Sequence, residues 1–159
     1  MREREQFDLM VQDFAKAVVR TFTCDEDGIW TILAGGVPVH AVYNEEIRQV
    51  VTFVRLGEML SSPFQTIWAR GFLELNAFWD GSRGFTFALD HETGTLVIHD
   101  RRPFSYFRTA EHFAGYVNVL TGLAEDAVGL IGELEDAVEM AAEEAGEEEA
   151  GEAEGGRTK

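Results

Sequence analysis

Little in this sequence can do chemistry unaided. Cys24 is the one cysteine, so no disulfide can close within the chain and no zinc knuckle is available. It reads as a small, half-buried apolar residue. Basic residues are scarce, with 13 Lys and Arg against 29 Asp and Glu, a formal net charge of −16. Residues 139–159 hold eight Glu against one Arg and one Lys, so the other 138 residues still carry about −10. Such a surface repels phosphate backbones, which excludes nucleic acid as a partner, and anionic membrane surfaces are disfavoured for the same reason. No apolar run approaches the roughly 18 residues that span a bilayer, so no membrane insertion is expected. The opening MREREQFDLM is too charged for a signal peptide. A cytoplasmic location follows as the expectation, and a basic or amphipathic protein fits the charge best as partner.

Catalytic signatures are missing too. His40, His91, His99 and His112 form no HExxH or similar pair. Asp25, Glu26 and Asp27 make an acidic turn without the alternating ligands and distal Glu of an EF-hand. The stretch AGEAEGGRTK falls short of GxxxxGK[ST], and neither GxSxG nor GxGxxG occurs. The expectation is a protein with no cofactor, no metal and no catalytic residue. A small enzyme built on His91 or His99 with a nearby carboxylate is the reading this disfavours.

What the chain does have is apolar residues, 45% of the total with 12 Phe, enough to bury a core within one domain. Phe7, Val11, Phe14 and Val18 recur at helical spacing and predict a helix over Glu5 to Val19. Three antiparallel strands follow over Thr21–Cys24, Ile29–Leu33 and Val37–Tyr43, with turn signals at DEDG and AGG. Asp27-Gly28 suits the positive φ of a hairpin turn, and Pro38 places the start of the third strand at an edge. NEEIRQ interrupts as a bulge or short turn before VVTFVRLGEML resumes as a strand, apolar on both faces. Ser61 or Ser62, with Pro63 in the first turn, caps a helix from Phe64 to about Trp79. Gly71 inside it costs about 1 kcal/mol against Ala, and it either admits another backbone or is merely tolerated. A hairpin of Gly84–Asp90 and Thr95–Asp100 turns at HETG. A last helix covers about Thr109 to Met140, with Glu111 favourably placed in its first turn. Residues 141–159 form an acidic Glu- and Gly-rich tail, expected to be disordered, beside a single domain over 1–140.

The ordered set FDLMVQDFAKAVV, DEDGIWTILAGGVPV, SPFQTIWARGFLELNAFW, GFTFALDHETGTLVIHDRRPF and FAGYVNVLTGLAEDAVGLIGEL resembles the small type III secretion chaperones of the CesT/SycE (Tir chaperone) kind. The likeness covers nearly all of residues 5–136. It departs from the family pattern at Ser62-Pro63, where Leu-Pro is usual, at Arg101-Arg102, and in the Glu-rich tail. The resemblance implies an α+β fold: a twisted antiparallel sheet of about five or six strands with three helices, in the order α-β-β-β-α-β-β-α. It implies a bacterial homodimer that binds the N-terminal chaperone-binding segment of a cognate effector in extended form, keeping it soluble and export-competent without ATP. By position it places the dimer contact at Ile67, Gly71, Phe72 and Leu75. It places an effector-binding groove at Phe7, Val11, Phe14, Ile32 and Val39. The unit LELNAFW…GFTFALD…LVIHD also resembles YbjN-like domains, which would make the chain a regulatory adaptor of the same general fold.

Overall fold

The computed structural model describes residues 2–17, 21–34, 36–58, 65–77 and 81–155. Val18 to Arg20, the expected cap at Ser61 to Phe64, and Trp79 lie outside the described residues. Contacts divide the chain into two units, Met1–Asp126 and Ala127–Lys159.

The first unit is built on one sheet. Its strands are β1 (Phe22–Cys24), β2 (Trp30–Ala34), β3 (Val37–Asn44), β4 (Gln49–Glu58), β5 (Thr86–Asp90) and β6 (Thr95–Pro103), in the spatial order β1-β2-β3-β4-β6-β5. Every neighbouring pair is antiparallel. Helix α1 (Glu3–Ala17) precedes the sheet, α2 (Gln65–Asn76) joins β4 to β5, and α3 starts at Ala110 after a 3-10 turn over Phe104–Tyr106. The expected α+β class holds, with six strands. NEEIRQ is a true turn, which separates the third and fourth strands: the Asn44 side-chain oxygen accepts the Glu46 and Ile47 amides at 3.0 and 3.1 Å. Arg48 completes this turn in the left-handed region, at φ 54°.

Turn chemistry sets the register elsewhere. Gly28 has φ 78°, the left-handed conformation for which the expected Asp-Gly turn needs its glycine. In the β5–β6 hairpin Asp90 accepts the Thr93 hydroxyl at 2.8 Å and the Glu92 amide at 3.1 Å. These bonds hold its carboxyl below the usual carboxylate range, the Thr93 bond first.

Side-chain alternation then sorts the sheet into two faces. One carries Ile32, Val39, Ala41, Tyr43, Val50, Thr52, Val54, Phe87, Leu96 and Ile98, all buried. Helices α1 and α3 cover it. Phe113 of α3 meets Phe7 and Phe14 of α1 edge-on at 6.1 and 5.9 Å, and Phe14 meets Phe22 at 5.2 Å. Fully burying each such side chain contributes about 1.5–3 kcal/mol. Polar ties fix the angle of α1. Trp30 Nε1 donates to Asp8 at 2.8 Å, while Glu3 accepts from Tyr43 and from Arg48. Thr109 caps α3, its hydroxyl accepting the His112 amide at 3.2 Å.

In the second unit the α3 backbone stays helical to Gly155, well past the Met140 at which the sequence ended it. Among the described residues no helix is long and apolar enough to cross a membrane.

Candidate partner-binding surface

The five residues expected in a groove are brought together, but inside the core. Phe7, Val11, Ile32 and Val39 have no exposed surface and Phe14 has 2%. None of them offers area to a partner in this conformation. They lie under α1 and α3, because the stripe that marks a helix as amphipathic is the stripe that buries it.

The opposite face of the same strands is different. Thr31, His40, Phe53, His99 and Thr86 stand in one row across β2, β3, β4, β6 and β5. Val42 and Val51 form a neighbouring pair, and Val97 stands opposite both Arg55 and Ala88. Apart from the exposed Arg55 these residues are half-buried, while Leu33, on the same face of β2, is 47% exposed. The helix contacts described above fall on the first face. The sheet therefore presents a second apolar face from Leu33 to Val97. His40 stacks on Phe53 at 4.8 Å, and Arg55 lies over the same ring at 5.7 Å. Burial, and then the neighbouring Arg55 and Arg101 respectively, hold His40 and His99 below the ordinary imidazole range. Both rings are neutral near pH 7 as a result.

The two sheet edges also differ. The β5 edge is closed by α2: Asn76 Nδ2 donates to the Phe87 carbonyl and Asn76 Oδ1 accepts the Phe87 amide, both at 2.8 Å. One side-chain amide thus stands in for a strand and satisfies the exposed backbone pair. Phe72, one turn earlier, packs on the Phe87 ring at 4.7 Å. Among the described residues the outer side of β1 has no neighbouring strand.

The expected dimer residues separate on α2. Phe72 is buried against β5, Gly71 and Leu75 are half-buried, and Ile67 is 45% exposed. Among the described residues nothing beyond its own helix lies within 4 Å of a Cβ built on Gly71. Leu73, on the other flank of the helix, is 68% exposed. A cleft of about 190 Å³ runs between α2 and β5, lined by Ala69, Phe72, Leu73, Asn76, Phe87 and Leu96 among others.

Thr52, Tyr116, Asp100 and Arg102 are linked in one chain of hydrogen bonds. Thr52 donates to Tyr116 at 2.8 Å, Tyr116 donates to Asp100 at 2.9 Å, and Arg102 donates to the same carboxylate oxygen at 2.6 Å. Burial, with the Asp100 carboxylate also contributing, pushes the Tyr116 phenol far above its ordinary range, so it is a fixed donor and not an acid. Of the histidines, His112 borders an open depression of about 410 Å³ with Ser105, Tyr106 and Arg108. Its ring stands against Tyr106 and Phe107, at 5.1 and 6.3 Å. Among the described residues no three His, Cys, Asp or Glu side chains are grouped to hold a metal ion.

Two features were missed in the sequence. Asn76 continues the buried stripe of Trp68 and Phe72 at steps of four, and a polar amide on an apolar stripe signals a backbone partner. Thr52 replaces an expected apolar residue between Val50 and Val54 in the same way.

No curated protein matches the sequence. Several solved structures share the fold. A chain of the ExsC–ExsE complex aligns with TM-score 0.65 at 19% identity, over 82% of this chain and 96% of that one. A chain of the HopA1–SchA chaperone–effector complex aligns with TM-score 0.60 at 13% identity, over 77% and 93%. The Yersinia pestis type III secretion chaperone SycH, solved with a stable fragment of YscM2, is represented by a chain at TM-score 0.53 and 21% identity, over 77% and 97%. The model of the Tir chaperone protein (CesT) family matches residues 10–127, from within α1 to the first turns of α3, and the chain belongs to that family.

Proposed function

We propose that this protein is a type III secretion chaperone that holds the N-terminal segment of a cognate effector in non-globular form. The observation that carries this reading is the second sheet face. It is apolar, it has no helix of its own among the described contacts, and it bears no group set for chemistry. An apolar sheet face of this breadth marks a place for another chain. The free β1 edge adds a site for strand addition, whereas the β5 edge is spoken for by Asn76. Holding a disordered segment needs a large wrapped surface to offset its ordering entropy, and face and edge together supply one. Capture is stoichiometric and uses no ATP.

The homodimer belongs to the same proposal. The exposed flank of α2, at Ile67 and Gly71 with Leu75 behind them, is the candidate contact. A small residue beside apolar ones suits a self-complementary helix crossing. The protein works in the bacterial cytoplasm, with 1–140 as the binding domain and 141–159 as an acidic extension.

Co-expression with the N-terminal segment of the secreted protein encoded beside it is the direct test. A soluble, stoichiometric complex is expected. A segment that precipitates alone and never co-purifies would sink the reading. Separately, Ile67→Asp should halve the mass seen by light scattering; an unchanged mass removes α2 from the interface.

A further inference from the structure

The bare face carries two arginines that lack a carboxylate partner, as do Arg2 and Arg108 elsewhere among the described residues. Arg4, Lys16, Arg48, Arg70, Arg83 and Arg102 each lie within 4.0 Å of a carboxylate. Arg55 and Arg101 are exposed and make no such pair among the described residues, although acidic residues outnumber basic ones by more than two to one. They bracket the apolar patch diagonally. Arg55 is opposite Val97 at one end, Arg101 is opposite Val51 at the other, and Phe53 faces His99 between them. Four residues of strand separate the two rows, about 13 Å. The carboxylates on this face, Glu58 and Asp90, lie beyond the patch, both opposite Thr95 at the hairpin end.

An antiparallel sheet with a bare apolar face is completed by a helix laid across it. We propose that this face takes an amphipathic helix of the effector segment, with an apolar stripe seated on Val42, Val51, Phe53 and Val97 and carboxylates directed at Arg55 and Arg101. A span of about 13 Å places those carboxylates roughly eight residues apart on the helix. The inference rests on the chaperone reading and names the chemistry of the captured chain. A second copy of the same face is the poorer occupant, since it adds two more arginines and brings no carboxylate within the patch. The neutral state of His40 and His99 leaves the two arginines as the charges that discriminate.

The test uses the full chain and two synthetic peptides of about 18 residues, roughly five helical turns. Both carry the same apolar stripe. One has Glu at two positions roughly eight residues apart, and the other has Lys at both. Fluorescence anisotropy should show the Glu peptide binding about tenfold more tightly, with the preference shrinking as salt rises. The double variant Arg55→Glu, Arg101→Glu should invert the preference. Both side chains are exposed, so the variant folds, and its melting curve checks this. Equal binding of the two peptides, or a Glu preference that survives the double variant, overturns the proposal. A change in mass of the double variant by light scattering also overturns it, assigning the face to a second copy. Failure here with successful co-purification of the effector segment leaves the chaperone reading standing. Failure of co-purification with the charge preference intact does the reverse.

Discussion

The two faces of the sheet are made of similar residues and do opposite things. Val39, Val50 and Val54 on one face are at or below 1% exposure, while Val42, Val51 and Val97 on the other are only half-buried. What separates them is helix cover: α1 and α3 close the first face through Phe7, Phe14 and Phe113, and among the described residues no helix ring packs on the second. Apolar content alone therefore does not make a core. A face becomes core when the same chain supplies its lid, and a binding surface when it does not.

Phe113→Ala on the closed side should destabilise by about 3–5 kcal/mol in urea unfolding, since it removes the ring shared by Phe7, Phe14 and Phe107. Asn76→Ala leaves the Phe87 amide and carbonyl without their side-chain partner. It should cost about 1–3 kcal/mol and speed hydrogen exchange at Phe87, an effect confined to the β5 edge. Val51→Thr on the open face should change stability by less than about 1 kcal/mol, because its side chain already meets water. The same change should weaken effector capture several-fold in a titration, and a large stability loss would put Val51 in the core. Smallest is a pH effect at the hairpin. The Asp90 carboxyl is held below its ordinary value in the folded state, chiefly by Thr93. Its contribution is therefore present above the unfolded carboxylate pKa of about 4 and is lost as pH falls through the lower folded value. Asp90→Asn should flatten stability against pH in that acidic range and lower it slightly near pH 7, where the ionised carboxylate contributes in full.

Much of the fold was legible because its signals are local. Phe7, Val11 and Phe14 announce α1, Asp27-Gly28 announces a turn, and the Phe-Leu alternation announces the β5–β6 hairpin. The cover of the sheet was not legible. Ile32 and Val39 sit on the strands that form the proposed surface but on the other side of them, and in a strand one residue decides the face. With both faces of VVTFVRL apolar, nothing local says which will meet α1 and α3. Asn76 shows the same limit in reverse: its spacing from Phe72 was visible, but its partner is the backbone of a strand eleven residues on.

Methyl NMR on the full chain, titrated with the co-purifying effector segment, tests the central claim most directly. The account predicts large shifts at Val42, Val51 and Val97 and small ones at Val39, Val54 and Val117. Shifts concentrated in the second set, or absent from the first, would contradict it.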